Sequence, residues 1–143
     1  MLEILITLSI IVIVATMLIN VFSDFRAAGE LDEAQANVVG ILKDARSRTL
    51  SSKNDMVYGV HFTETQVVLF LGSSYGAGVS TNEPYSIPRT VRISSIALTG
   101  GASDTVFTRL QGTTTASGTI TLQSKRDTAK TKTVTILSTG NVQ

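Results

Sequence analysis

No charged side chain occurs from Ile4 to Ser23, and the run Ile4-Leu5-Ile6-Thr7-Leu8-Ser9-Ile10-Ile11-Val12-Ile13-Val14-Ala15-Thr16-Met17-Leu18-Ile19-Asn20-Val21-Phe22 is apolar on every face. As a helix rising ~1.5 Å per residue it reaches roughly 30 Å, the thickness of a bilayer's hydrocarbon core. Exposing it to water would cost tens of kcal/mol at ~1.5–3 kcal/mol per large side chain. A whole domain is stabilised by only ~5–15 kcal/mol. The segment therefore belongs in lipid or among copies of itself. The β-branched stretch Ile10–Val14 would suit a strand by propensity. Length and the need to pair every backbone group in lipid favour a helix. Thr7, Ser9 and Thr16 fit that helix, because their hydroxyls can bond back to the preceding turn.

Beyond Phe22 the pattern turns amphipathic. Leu31, Ala34, Val38, Ile41, Leu42, Ala45 and Thr49 recur at three- and four-residue steps, with Glu30, Asp32, Glu33, Lys43, Asp44, Arg46 and Arg48 on the other faces. That spacing predicts one buried side. No proline occurs before Pro84, and Ser51–Asp55 reads as the helix end. One helix of about fifty residues, about 75 Å long, is expected. It outreaches a ninety-residue globule of ~12 Å radius of gyration, so its first half must project.

From Met56 the period becomes two. Met56–Phe62 and Thr65–Leu71 read as strands joined at Thr63-Glu64. Gly72–Pro88 reads as a long surface loop. Thr90–Leu98, Thr105–Leu110, Gly118–Ser124 and Lys132–Ser138 are further strands, the last two joined as a hairpin. The expected class is α+β: one long N-terminal helix followed by an antiparallel β-sheet domain laid on its amphipathic half. The expected division is 1–25 as the apolar transmembrane or filament-core half, 26–53 as the packed half, and 54–143 as the globular β domain.

The chain has 143 residues, a formal net charge of +1, one His, no Cys and no Trp. The near-zero charge gives no bulk attraction to nucleic acid or acidic lipid. Without Cys there is neither a disulfide framework nor a thiolate metal site. A mean hydropathy of +0.26 comes largely from the first segment. No Lys or Arg precedes the apolar run, which flows into the amphipathic pattern without a cleavage-like break, so it reads as part of the mature protein.

The lone early Glu3, the apolar run and the trailing strands resemble the type IV pilin and pseudopilin superfamily. Its mature start reads Phe-Thr-Leu-Ile-Glu, and Met1-Leu2-Glu3-Ile4-Leu5-Ile6-Thr7-Leu8 matches from the third position. Either a Phe-Thr pair precedes Met1 or the spacing differs. Leu42-Lys43-Asp44-Ala45-Arg46-Ser47-Arg48-Thr49-Leu50 and the ending Val134–Val142 are similar to H-type, minor pseudopilins. Val12 and Asn20 stand where the family often has a helix-loosening Gly and Pro.

The resemblance implies a structural subunit, not an enzyme, that polymerises through its apolar helix into a type IV pilus or related extracellular filament. The alternatives are a minor pseudopilin of a type II secretion or competence system, and a membrane-anchored binding module that does not polymerise. Implied partners are other copies of the chain, membrane lipid before assembly, an inner-membrane assembly platform and a prepilin peptidase that prepares a methylated N-terminus. The implied path runs from the inner membrane to an extracellular filament used in adhesion or motility. Glu3 would meet the N-terminal amine of a neighbour; otherwise it simply favours the positive end of the helix dipole. Leu2, Ile4, Leu5, Leu8, Ile11, Val12, Leu18 and Phe22 would form the assembly surface.

Three further features have bland readings. Lys125, Arg126, Lys130 and Lys132 cluster at a turn, a candidate surface contact whose default is solvation; no aromatic interleaves them, so a nucleic-acid partner is disfavoured. His61 stands alone on a strand, without neighbouring Cys, Asp or Glu in sequence. Tyr75 and Tyr85 flank the Gly-Ser loop and are expected to pack on the domain's own sheet. No phosphate-binding Gly-Lys loop, Gly-x-Ser-x-Gly or zinc spacing occurs, and no cofactor or metal is expected.

Overall fold

In the computed structural model, residues 2–51 and 55–143 are described, with only the backbone given for 18–24. Helix α1 spans Leu2–Leu50, and the expected ending over Ser52–Asn54 lies outside the described residues. In its first half the hydroxyls of Thr7, Ser9 and Thr16 donate to the carbonyls of Ile4, Ile6 and Ile13 at 2.7–2.9 Å. These bonds satisfy polar groups that have no water-facing stripe to occupy.

Among the described residues seven strands follow: β1 Tyr58–Phe62, β2 Gln66–Leu71, β3 Glu83–Ser86, β4 Val91–Leu98, β5 Asp104–Val106, β6 Gly118–Ser124 and β7 Thr131–Ile136. The α+β class is as expected, but the strands form two antiparallel sheets rather than one. The first has the order β3-β2-β1-β5 and the second β4-β6-β7. α1 touches β1 and β2 of the first and β4, β6 and β7 of the second. Leu31, Ala34, Val38, Leu42 and Ala45 pack there against Tyr58, Val60, Phe62, Val67, Leu69, Ile120, Leu122, Val134 and Ile136.

Strand alternation decides which side chains reach that core. Along β1, Tyr58, Val60 and Phe62 face the helix, opposite Leu71, Leu69 and Val67 of β2. The intervening Gly59 lies opposite Phe70, and a side chain there would strike the Phe70 ring. This second face is covered as well. Tyr75, from the segment after β2, packs edge-on against Phe70 with ring centroids 5.7 Å apart.

Two expectations need correction. Gly72–Pro88 is not loop throughout, because Glu83-Pro84-Tyr85-Ser86 forms β3 at the edge of the first sheet. Proline argues against a central strand and is tolerated at an edge, so the local pattern concealed it. The strand expected over Thr105–Leu110 stops at Val106. Phe107 makes only an isolated bridge to Thr114, and Leu110 takes a positive φ of 69°, which extended chain does not permit.

Candidate functional site

The surfaces that set this molecule apart lie at the two ends of α1. Toward the N-terminus the large apolar side chains from Leu2 to Met17 are 49–75% exposed. Leu2, Ile4, Leu5, Leu8, Ile11 and Val12 lie on this bare surface, and Glu3 sits in its first turn. The side chains of Leu18, Asn20 and Phe22 lie outside the described residues, so the whole span expected over 4–22 is not on view. Among the described residues no helix is long and apolar enough to cross a membrane. Phe25, beside Arg26, is likewise 78% exposed.

Where the helix enters the head, polar contacts take over. Glu30 accepts a hydrogen bond from the Thr90 hydroxyl and pairs with Arg26 at 3.2 Å. The Thr90 bond is the main influence holding the Glu30 carboxyl below its ordinary value; burial opposes it and Arg26 assists. Asp32 pairs with Lys132 at 2.7 Å, and Gln35 donates to the Thr133 carbonyl at 2.9 Å. The four basic residues of the β6–β7 hairpin are thus not equivalent. Lys132 is tied to the helix, and Lys130 lies 4.0 Å from Asp127. Lys125 and Arg126 are exposed and make no ion pair among the described residues. Lys125 is fixed only through its backbone, whose N–H donates to the Thr90 carbonyl at 2.8 Å.

At the far end of α1, Arg48 bridges Asp44 at 2.8 Å and both Glu83 oxygens at 2.5 and 3.1 Å. The Glu83 and Asp44 hydrogen bonds raise the guanidinium's pKa further, and the Glu83 carboxylate also accepts from the Tyr85 hydroxyl at 3.0 Å. Tyr85's own pKa is raised, by burial first and by Glu83 next. Between α1 and β3 runs an open groove of about 450 Å³, lined by Ala36, Asn37, Gly40, Ile41, Tyr85 and Ile87 among others.

His61 is less solitary than its sequence context suggests. Its Nδ1 hydrogen-bonds Asp104, from β5, and its ring stacks on Tyr75 at 3.8 Å and 3°. Asp104 is far away in sequence, and only the β1–β5 pairing brings it across. The ring pair clips the glycine-rich segment onto the sheet, so Tyr75 packs as expected. Tyr85 lies on β3 with its ring half-exposed. The Thr113-Thr114-Thr115 run supplies turn chemistry: Thr114 meets Thr105 and Thr113 meets Thr108, both at 2.7 Å. No group of three metal-binding side chains occurs among the described residues.

No family model matches this chain. No curated protein matches it either. Among solved structures, it is similar to the type IV minor pilin FimU of Pseudomonas aeruginosa, with a TM-score of 0.57 and 16% identity. The match covers 79% of this chain and 90% of that one. The chain has a type IV pilin-like fold.

Proposed function

We propose that this chain, with its pilin-like fold, is a structural subunit that polymerises through the apolar half of α1 into a type IV pilus or related extracellular filament. One observation carries the reading: a helix buried in the head continues into a half whose large apolar side chains are all exposed, from Leu2 to Met17. Bare surface of that extent needs a partner. Residues 1–25 would form the filament core, 26–53 the spine of the head and 54–143 the exposed domain. Before assembly the subunit waits in the inner membrane, where the uncharged run from Ile4 to Ser23 is shielded by lipid. Afterwards, copies of the same helix shield one another outside the cell. An assembly platform and a prepilin peptidase would handle the transfer.

Glu3 has the specific part. A carboxylate at the start of an apolar helix is costly away from water and is relieved by a neighbour's N-terminal amine. A membrane-anchored binding module has no need of it; a filament does. Glu3→Ala should therefore abolish filaments in sheared material viewed by negative stain, while the chain still fractionates with membranes. Normal filaments with alanine at this position would exclude the assembly role.

A second reading has its own support. The matching solved structure is named a minor pilin. A minor subunit, including the H-type pseudopilin alternative, shares the fold and differs in abundance. Counting this chain by mass spectrometry in sheared filaments separates the two: a dominant species is the main subunit, a trace species the minor one.

A further inference from the structure

We infer that the β6–β7 turn, with Lys125 and Arg126, is a docking surface for the anionic phospholipid headgroups of the bilayer that holds the apolar half of α1. The inference rests on the membrane-held stage proposed above and adds a lipid preference to it.

Topology puts the turn at the right level. β7 runs alongside α1 in the same direction: Lys132 meets Asp32, the Thr133 carbonyl meets Gln35, and the chain after β7 brings Gly140 beside Gly112, whose carbonyl meets Arg46. Stepping back from Lys132 into the turn therefore moves toward the apolar half. The turn's own anchor agrees, because Lys125 is bonded to Thr90 and Thr90 to Glu30. From Glu30 to Phe22, the end of the apolar run, is about 12 Å at the helical rise. One headgroup layer is ~5–8 Å thick, and charges act over a Debye length of ~8 Å at physiological salt. The turn thus overhangs the headgroup zone.

The charge at this end is unbalanced in the right sense. Glu30, Asp32 and Asp127 are each matched with a cation: Arg26, Lys132 and Lys130. Arg89, Lys125 and Arg126 are exposed and left without an ion pair among the described residues. Asp24, at the end of the apolar run, and the exposed Glu33, which has no ion pair among the described residues, offset two of them and leave one cation in excess. Phe25, 78% exposed just above that run, carries apolar surface up to the level where these cations begin. Cations beside a membrane–water boundary are drawn to phosphatidylglycerol-type lipids, whose charge zwitterionic lipids lack.

The test uses the full chain reconstituted into vesicles of pure phosphatidylcholine, or with about 30% phosphatidylglycerol, a strongly anionic surface. A water-soluble acylating reagent reports the reactivity of Lys125, with the exposed Lys43, higher on α1, as internal reference. In anionic vesicles Lys125 should react roughly fivefold or more slowly, relative to Lys43, than in zwitterionic ones. The difference should vanish in about 0.5 M salt, where screening is shorter than the gap. Arg126→Glu should reduce it. Equal reactivity in the two vesicles, with the chain floating alongside both, overturns the lipid docking and leaves the membrane-held stage standing. Protection that arises only in lipid-free filaments also overturns it, and assigns the turn to a protein contact. A chain that floats with neither vesicle defeats the membrane-held stage itself.

Discussion

Leu31, Ala34, Val38, Leu42 and Ala45 of α1 disappear beneath two sheets, while Leu2, Ile4, Leu5, Leu8, Ile11 and Val12 of the same helix stand uncovered. The uncovered half is the more hydrophobic of the two. Hydrophobicity by itself therefore does not bury a helix within its own chain; a stripe does. In the second half, apolar residues on one side and Asp32, Lys43, Asp44 and Arg48 on others tell the sheets where to lie. In the first half every direction is equally apolar, and the remaining ninety or so residues are too few to wrap it. An all-round apolar helix is written for an environment larger than its own domain.

That contrast predicts opposite responses to the same substitution. Leu42 is 0% exposed at the centre of the core. Leu42→Ala should cost about 2–5 kcal/mol of head stability, the usual range for an aliphatic cavity. Ile11→Ala, at a side chain 66% exposed, should change head stability by no more than about 0.5 kcal/mol. Urea unfolding of the full chain in detergent, followed through the tyrosines of the head, gives both values. Comparable losses would mean that the two halves are not the separate regimes described above.

The contrast was largely legible in the residues. The long helix, its change of character after Phe22, the β1–β2 pair and the β6–β7 hairpin all follow from period and local turn chemistry. What failed was non-local. Nothing in Glu83-Pro84-Tyr85-Ser86 announces an edge strand until β2 lies beside it. Nothing near His61 announces Asp104 until β5 crosses to β1. The split into two sheets is likewise a matter of pairing order, which no single segment encodes. At the candidate surface, the lysine and arginine cluster was visible but its inequality was not. Lys132 is spent on Asp32 of α1, whereas Arg89 joins the basic end from a different segment and was missed for lack of neighbouring cations.

The buried half also hides polar groups, and these sharpen the comparison. Thr49 is 0% exposed; its hydroxyl donates to the Ala45 carbonyl at 2.9 Å and accepts the Tyr58 N–H at 3.0 Å. It thereby ties the end of α1 to the start of β1. Thr49→Val keeps the shape and removes the acceptor of the buried Tyr58 N–H, which should cost about 1–3 kcal/mol. Thr16→Val, in the exposed half, removes the hydroxyl's bond to the Ile13 carbonyl far from the core, and should leave urea stability of the head unchanged. Equal effects at Thr49 and Thr16 would erase the distinction between a hydroxyl that closes the core and one on the exposed half of the helix.

The smallest effect lies where the two halves meet. Thr90 donates to Glu30 and is the chief reason that the carboxyl lies below its ordinary value of 4.5. A carboxyl lowered in the folded state binds fewer protons there than in the unfolded chain. Its contribution is fully present above the unfolded value and is lost as the pH falls through the lowered one. Thr90→Val should thus lower the melting temperature slightly and by a constant amount at neutral pH, and the gap from wild type should close in acid. A gap that persists unchanged well below pH ~4, where the unfolded-state carboxyl is already protonated, would show that Thr90 acts through packing rather than through the Glu30 charge. The seam between head and bare helix would then be held by shape. The present geometry makes it electrostatic, one carboxylate tied to the turn that carries Lys125.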